Sequence, residues 1–352
     1  MTTDDGRNID ERVAVLSGEG SGQKVAAEGR EDMESTPVHA VFERPPIESR
    51  GTGTYYDRPV LKEPVWKWFI PAYFFAGGAA GAAQVLAAAA QVADRDGLGG
   101  LVKRARWIAA AGLAAGTTFL IADLGRPERF MNMLRVFRPT SAMNAGSWIL
   151  ATSGPLAGAS ALLADRDGWL GRSGDLAGLA AGPAGLPLSA YTAVLLADTS
   201  IPIWHQTRRT LPPLFAASSM ASAASLLEMM DLSDDEQRVV HRLGKISKTA
   251  ELLAATAVDI DAARVEQVAR PLEEGLSGTL WKVAKAATGA SLVLSGGSRR
   301  RRKLAAALGV AGSLALRFAV HHAGKRSARD PKATFAAQRA GITRPVRDPS
   351  LV

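Results

Sequence analysis

The sequence WFIPAYFFAGGAAGAAQVLAAAAQVA, which runs from Trp68 to Ala93, contains no charged residue. A helix in a soluble protein needs a polar face, whereas about 20 apolar residues are enough to cross roughly 30 Å of hydrocarbon. Two tryptophans and a lysine, Trp66 to Trp68, mark the start of this run, as is typical of the interface between membrane and water. The stretch therefore predicts a membrane-spanning helix that begins near Trp66 and ends near Ala93.

Four further segments between residues 107 and 227 also carry no charge. So many uncharged stretches of this length are hard to reconcile with a soluble fold, so each predicts another membrane-spanning helix. We expect these helices at residues 104–122, 142–164, 176–197 and 211–230.

The rest of the chain gives a weaker signal, because charged residues interrupt its apolar stretches at 252–258, 286–298 and 304–316. One interpretation is that these are three more helices shielded inside a bundle. The fold is then an all-α membrane bundle of about eight transmembrane helices, arranged as two four-helix bundles. The alternative is five spans with a peripheral helical domain. Eight spans place both termini on one side of the membrane, and five place them on opposite sides.

The composition excludes several kinds of redox centre. The chain has no cysteine, which excludes disulfides, thiolate-bound iron–sulfur clusters and cysteine nucleophiles. A b-type haem between helices normally needs two axial histidines, and none of the five histidines lies in the middle of a strongly apolar segment. We therefore expect no haem, no iron–sulfur cluster and no metal in this chain.

The net charge of +8 is interpreted as a signal of membrane topology rather than of nucleic-acid binding. With eight spans, the loops opposite the termini hold more basic residues than those on the terminal side, if residues such as Arg104, Arg172 and Lys248 are counted as loop residues. The positive-inside rule then places the termini outside the cytoplasm, although the basic C-terminal tail argues for the reverse. We expect the run from Arg299 to Lys303 to anchor a loop or contact anionic lipid in the cytoplasmic membrane.

Three regions differ in composition along the chain. Residues 1–64 are polar and predict a disordered tail, in which no cleavable signal peptide is expected because an apolar core segment is lacking. Residues 65–325 form the predicted transmembrane domain. Residues 326–352 form a basic C-terminal tail.

The sequence DLGRPERF at residues 123–130 carries the most specific information. Asp123 is expected to end the second helix, Gly125 to stop it, and Pro127 to open a short helix lying in the membrane interface. Ser141 or Asn144 is a candidate cap for the third long helix. The apolar face of the short helix is predicted to comprise Phe130, Met133, Leu134 and Phe137.

This stretch resembles the NrfD family, the membrane subunit of polysulfide reductase and related complexes. Other segments resemble the same family in the same order, so that the similarity covers roughly residues 64–325. They are PAYFFAGG at 71–78, GSW at 146–148, YTAVLLA at 191–197 followed by Pro202 and Trp204, and LALRF at 314–318 with Gly324.

The resemblance implies an eight-helix anchor that interacts with a quinone, either menaquinone or ubiquinone. Such a subunit usually assembles with a ferredoxin-like protein carrying four iron–sulfur clusters and with a molybdenum or tungsten catalytic subunit. Family analogy favours a formate dehydrogenase complex over a reductase of polysulfide, thiosulfate or another sulfur compound. Since this chain has no redox centre of its own, electrons are expected to arrive from the partner and leave on the quinone, or the reverse.

A quinone needs hydrogen-bond donors for its carbonyls, an aromatic wall and a route for protons. The resemblance implies that Tyr191 lines the quinone pocket; the alternative is an interfacial tyrosine. Asp123 is a candidate proton carrier, and Arg126 a candidate to hold it ionised or to contact a carbonyl; the alternative is a structural salt bridge that fixes the loop. Trp66, Trp204 and His205 are expected on the same side of the membrane.

Five ionisable residues in the weaker segments are candidates for a proton-conducting network inside the membrane, because charges there are costly and often functional. The alternative is internal pairing that only holds the helices together. The candidate network comprises Glu251, Asp259, Lys282, Lys285 and Arg317.

Two rival functions remain, namely a transporter or proton-conducting protein without redox activity, and a purely structural anchor.

Overall fold

The computed structural model describes residues 59–124 and 126–342, and all regular secondary structure in these residues is helical. This confirms the all-α prediction. The residues before 59, the end of the basic tail, and Gly125 lie outside the described ranges. The helices are α1 (Phe69–Ala93), α2 (Gly99–Asp123), a 3-10 helix (Pro127–Leu134), α3 (Ala142–Leu163), α4 (Gly168–Ala197), α5 (Pro202–Gln206), α6 (Leu211–Glu228), α7 (Asp234–Ala262), α8 (Glu266–Glu273), α9 (Gly275–Leu294), α10 (Arg299–Arg329) and α11 (Pro331–Ile342).

Eight of these helices are long, and they pack as two groups of four. The first bundle comprises α1 to α4, and the second comprises α6, α7, α9 and α10. Small residues allow the close approach of helices that lack large interdigitating side chains. At Gly81, for example, a Cβ atom would lie 2.8 Å from the carbonyl oxygen of Gly185, so α1 and α4 meet backbone to backbone. Helices α1 and α4 also pack against α6, which joins the two bundles.

Four of the described helices are both long and apolar enough to cross a membrane, namely α1, α2, α4 and α10. The chain is therefore a membrane protein. Helices α3, α6 and α9 have 22, 18 and 20 residues, and at 1.5 Å per residue even 18 residues reach about 27 Å. Their length permits a crossing, but they and the charged α7 fall short in hydropathy, so the eight-span arrangement remains a prediction.

Several helices begin earlier than predicted, and this corrects the loop charges used for topology. Helix α2 begins at Gly99 and α4 at Gly168, so that Arg104, Arg106 and Arg172 lie within helices. Helix α7 begins at Asp234, where Ser233 and Glu236 form a capping box. A charged residue in a helix can be buried where a neighbouring helix packs against it. Hydropathy alone does not reveal such burial. Four more residues counted as loop charges therefore belong to α7: Arg238, Arg242, Lys245 and Lys248.

Prolines do not break the long helices. Pro155 lies inside α3, and Pro183 and Pro187 lie inside α4, yet both helices are continuous. Neighbouring helices can satisfy the backbone groups that a proline leaves free within a membrane. The discontinuous helices that would support a transporter are therefore not found at these prolines.

The DLGRPERF segment forms a tight connection between α2 and α3. Helix α2 ends at Asp123 as predicted, and the short helix that follows is a 3-10 helix. Ser141 caps α3, its hydroxyl accepting a hydrogen bond from the backbone N–H of Asn144. The Asn144 side chain holds the connection itself, donating to the carbonyl oxygens of Met133 at 2.8 Å and Val136 at 2.9 Å. It also accepts from the backbone N–H of Arg138 at 2.6 Å.

Candidate functional site

A largely apolar pocket of about 130 Å³ lies at one end of the first bundle, where α1 and α3 begin and α2 and α4 end. The 3-10 helix contributes Met133 to its wall. Aromatic and aliphatic side chains form most of the lining, and polar groups enter it at few points. The lining residues are Trp66, Ile70, Tyr73, Phe74, Leu120, Asp123, Leu124, Met133, Met143, Gly146, Ser147, Tyr191 and Leu195.

Tyr191, the first site residue predicted from the sequence, lines this pocket. Its ring is buried against α3, and its hydroxyl donates a hydrogen bond to the carbonyl oxygen of Ala142 at the start of that helix. Gly146 makes this position possible, because a Cβ atom there would overlap the Tyr191 ring. The GSW segment of α3 therefore has a physical role, which is to leave room for the tyrosine of α4.

Tyr73, which was not among the predicted site residues, faces the same pocket. Its side chain is 4% exposed, and its hydroxyl has no hydrogen-bond partner among the residues that the structure describes. Two glycines flank the ring, since Cβ atoms at Gly77 and Gly116 would lie 3.4 and 3.3 Å from it. In the sequence, Tyr73 stands among the aromatic residues of PAYFFAGG, and nothing there separates a site tyrosine from a core aromatic residue.

Asp123 and Trp66 complete the polar and aromatic parts of the lining. The Asp123 carboxylate accepts a hydrogen bond from the backbone N–H of Lys67 at 3.0 Å, which ties the end of α2 to the segment before α1. The Arg126 side chain is exposed and lies outside the pocket. Within the described residues these two groups form no ion pair, so neither the predicted ionic partnership nor the structural salt bridge is present.

Trp204 and His205 lie on the same end of the molecule but not in the pocket. Trp204 is buried, its Nε1 donates to the carbonyl oxygen of Val320 at 3.0 Å, and its ring stacks on Trp66 at 5.9 Å between centroids. It therefore supports the pocket wall from behind. His205 is exposed and lines a separate cavity of about 570 Å³ with Arg208, Arg209, Asp261 and Arg264.

Comparison with known proteins places this chain in a family. The model of the NrfD family, described as polysulfide reductase, matches residues 53–329. The chain belongs to the NrfD family. Members are membrane subunits of oxidoreductase complexes that interact with quinones and assemble with iron–sulfur and molybdoenzyme subunits. No curated protein matches the chain significantly.

The second bundle of this NrfD-family chain holds buried charges, and they differ from the predicted network. Glu251 and Arg317 are 2% and 1% exposed and lie in the core of the bundle. Two residues that the sequence did not single out join them. Lys248, which is fully buried, donates to the Glu228 carboxylate at 3.1 Å. Glu228 ends α6 and Lys248 lies in the middle of α7, so their positions in the sequence gave no sign of this pairing.

The remaining three predicted network residues lie apart from Glu251 and Arg317, so the structure does not bring the five together. Lys285 and the indole N–H of Trp281 both contact the Asp259 carboxylate at 2.7 Å, and this half-buried group lies near the end of α7. The exposed Lys282 donates to the backbone carbonyl of Glu273 instead. Closeness in sequence does not determine which face of a helix a charged residue occupies. Here the charged residues lie on different faces and meet different partners.

Proposed function

We propose that this chain is the membrane anchor and quinone-interacting subunit of an oxidoreductase complex, passing electrons between a partner's iron–sulfur cluster and the quinone pool. The anchor would cross the cytoplasmic membrane with eight helices, α1 to α4 and α6, α7, α9 and α10. Both termini would then lie at the end that holds Tyr191, and the basic residues in the helix ends at the opposite face favour the non-cytoplasmic side for it. The catalytic partner would be a molybdenum or tungsten subunit, with formate dehydrogenase favoured over sulfur-compound reductases by family analogy.

The observation that carries this proposal is Tyr73, whose side chain is 4% exposed and lines the apolar pocket, and whose hydroxyl has no hydrogen bond to the described residues. A hydroxyl without a protein partner at the wall of a pocket is available to donate to a ligand or to a water molecule. A quinone head group presents carbonyl oxygens on a flat apolar ring. The Tyr73 hydroxyl can donate to such a carbonyl oxygen, and the aromatic wall of the pocket can pack against the ring.

The residues present have distinct roles in such a site. Tyr73 and Tyr191 are the hydroxyl donors that would hold carbonyl oxygens, and Trp66 supplies a flat apolar wall. Asp123 is the only carboxylate in the lining, and it is the group placed to take up or release a proton at the pocket edge. When bound, menaquinone or ubiquinone supplies the chemistry of two electrons and two protons.

Electrons must reach this pocket from outside the chain, because the sequence has no cysteine for an iron–sulfur cluster. A ferredoxin-like subunit with four clusters fits that requirement. It would dock on the surface that surrounds the pocket mouth, where Arg126 is exposed and the cavity of His205, Arg208 and Arg209 opens.

The test uses the purified complex that contains this chain. We expect the double variant Tyr191→Phe/Asp123→Asn to lower quinone-coupled turnover by at least about tenfold, since a positioned acid or base contributes 10²–10⁴-fold. Turnover with a water-soluble electron acceptor that bypasses the membrane subunit should not change. The control is Asp198→Asn, an exposed carboxylate just beyond α4 and outside the pocket.

Full quinone-coupled turnover in the double variant would contradict the site assignment. A purified complex that binds no added quinone analogue would instead support the structural-anchor alternative. Uptake of a solute by vesicles holding the chain without partner subunits would support a transporter.

A further inference from the structure

A column of buried charged side chains runs through the second bundle. At one end, Glu228 closes α6 and pairs with Lys248 at 3.1 Å. Glu251 follows three residues later in α7, which places it on the same face as Lys248. One Glu251 carboxylate oxygen accepts from the Ser313 hydroxyl at 3.4 Å. Arg317, one turn along α10 from Ser313, ends the column by donating to the carbonyl oxygen of Phe215 at 3.0 Å.

The order of charges along this column is regular. Glu228, Lys248, Glu251 and Arg317 alternate negative and positive, so that the column is neutral as a whole. Along α6, the 13 residues from Glu228 back to Phe215 correspond to about 20 Å, or roughly two thirds of the hydrocarbon thickness. Burying charges does not in itself stabilise a fold. The column therefore calls for a functional explanation.

The column also contains polar atoms that the protein does not satisfy. These are Oε2 of Glu251, Nε and Nη1 of Arg317, and the hydroxyl oxygen of Ser225, all buried and without a protein partner within the described ranges. Buried polar groups are nearly always hydrogen-bonded to protein or to ordered water. Their concentration beside one another points to internal water molecules between the charged side chains.

One end of the column opens into a polar cavity of about 250 Å³ at the face opposite the Tyr191 pocket. Glu228 lines this cavity, and its carboxylate also lies 3.5 Å from Nδ1 of His241. Arg299 at the start of α10 pairs with Asp231 on the opposite wall, and holds the pKa of that carboxyl below its ordinary value. The cavity mouth is therefore charged and hydrated, while its base is the first carboxylate of the column.

The other end of the column is closed by aromatic rings. The Arg317 guanidinium lies 3.8 Å above the Phe215 ring, and Phe215 packs against Phe74 with 6.4 Å between ring centroids. One turn further along α10, His321 is buried with Nδ1 unpartnered in the described structure, and its ring stacks on Trp66 at 6.4 Å. Trp66 lines the Tyr191 pocket, so the closed end of the column points toward that pocket.

We propose that this column is a proton path that admits protons from the face opposite the Tyr191 pocket to Glu251 inside the membrane. A proton leaves a hydronium ion in the cavity, passes through Glu228 and the internal water molecules, and binds the Glu251 carboxylate; no electron moves. The groups that face Glu251 are Lys248 from its own helix, Ser218 from α6, and Ser313 and Arg317 from α10. The path needs no quinone, so it stands apart from the function proposed above.

The test measures which side of the membrane controls the protonation of Glu251. N,N′-dicyclohexylcarbodiimide is an apolar reagent that modifies protonated carboxyl groups within membranes. The full chain is reconstituted in oriented vesicles without quinone, the pH of each compartment is set separately, and the modified peptide is quantified by mass spectrometry. We expect labelling of Glu251 to fall by up to about tenfold per unit of pH when the compartment facing Glu228 is made alkaline. Alkalinising the other compartment should have no such effect.

Two variants test the path itself. Glu228→Leu should slow the response of Glu251 labelling to pH, while Glu236→Gln, which alters a buried carboxylate of the α7 capping box, should leave it unchanged. A thermal unfolding scan of each variant checks that the bundle is intact. The proposal is overturned if Glu251 is not labelled, if labelling ignores the pH on the Glu228 side, or if it follows the pH on the Tyr191 side. None of these results depends on whether a quinone binds.

Discussion

The ring of Tyr191 lies directly against the backbone of Gly146, and no side chain fits between them. The consecutive helices α3 and α4 are thereby locked together at the pocket, since the Tyr191 hydroxyl also bonds to Ala142, one turn before Gly146 in α3. A methyl group at residue 146 would force the ring to move. Gly146 on the facing helix therefore sets the position of Tyr191, the residue proposed to bind the quinone.

We predict that Gly146→Ala displaces Tyr191 and destabilises the first bundle by about 1–3 kcal/mol, the usual cost of inserting atoms into a packed core. Quinone-coupled turnover should fall with it. The matched control is Gly154→Ala in the same helix, because a Cβ atom at Gly154 meets nothing within 4 Å. Thermal unfolding in detergent measures both, and equal unfolding temperatures for the two variants would refute the contact.

The two pocket tyrosines should respond differently to loss of their hydroxyl groups. Tyr73→Phe removes a group without a protein partner, so stability should change little while quinone-coupled turnover falls. Tyr191→Phe also removes a hydrogen bond and should cost about 0.5–1.5 kcal/mol of stability as well. Unfolding temperature and turnover are measured on the same preparations. A Tyr73→Phe complex with unchanged turnover would remove Tyr73 from the site.

Loss of the Asp123 carboxylate should release the segment before α1. Asp123 holds the backbone N–H of Lys67 at 3.0 Å, and substitution by Ala leaves that group without its partner. We expect limited trypsin digestion to cut at Lys67 and at Lys62 several times faster in Asp123→Ala than in the wild-type chain. Asp198→Ala is the control. Equal cleavage rates would show that the Trp66 stack and the ion pairs of Glu63 with Lys325 and Arg329 suffice.

The buried pair of Glu228 and Lys248 should be strongly coupled in stability. Lys248→Met removes the ammonium partner of the buried Glu228 carboxylate and is expected to cost about 3–5 kcal/mol, whereas the double variant with Glu228→Gln should recover much of that loss. The exposed pair of Lys103 and Asp165, at 2.5 Å, is the control; its single variants should cost at most about 1 kcal/mol. A double-mutant cycle without coupling at Lys248 would contradict the pairing.

The ion pairs of Asp231 predict a small dependence of stability on pH. Arg299 and Lys303 lower the pKa of the Asp231 carboxyl in the folded state. The stabilisation is thus present above the unfolded pKa of about 3.9 and is lost as the pH falls through the folded value. Unfolding temperatures of wild type and Asp231→Asn should differ at pH 7 and converge in strong acid. Asp96→Asn, at an exposed residue between α1 and α2, should show no such convergence.

Much of the fold could be predicted from the sequence, because local composition determines which segments can span a membrane. The uncharged runs predicted α1, α3 and α6 to within a few residues, and Asp123 as the end of α2 was correct. The starts of α2, α4 and α7 were missed, since their first turns are charged or rich in glycine. Hydropathy does not distinguish a charged loop from a charged helix end that a neighbouring helix covers.

The candidate site was only partly predictable for a related reason. Tyr191, Asp123 and Trp66 share the pocket, whereas Arg126, Trp204 and His205 are near it but not in it. Tyr73 was not predicted as a site residue, because it stands among other aromatic residues in the first apolar run. A single sequence shows which residues lie at one end of a bundle, but not which side chains converge on one cavity.

By itself, the sequence determined that this chain is a helical membrane protein of the NrfD family, with no cysteine to hold an iron–sulfur cluster. These are properties of local composition and motif. Only the tertiary structure decided which charges meet: it paired Glu228 with Lys248, set Arg317 beside Phe215 and separated Asp259 and Lys285 from both. The physical reason is that neighbouring residues of a helix point about 100° apart around its axis. Which face of a helix meets which neighbour is therefore fixed only by packing.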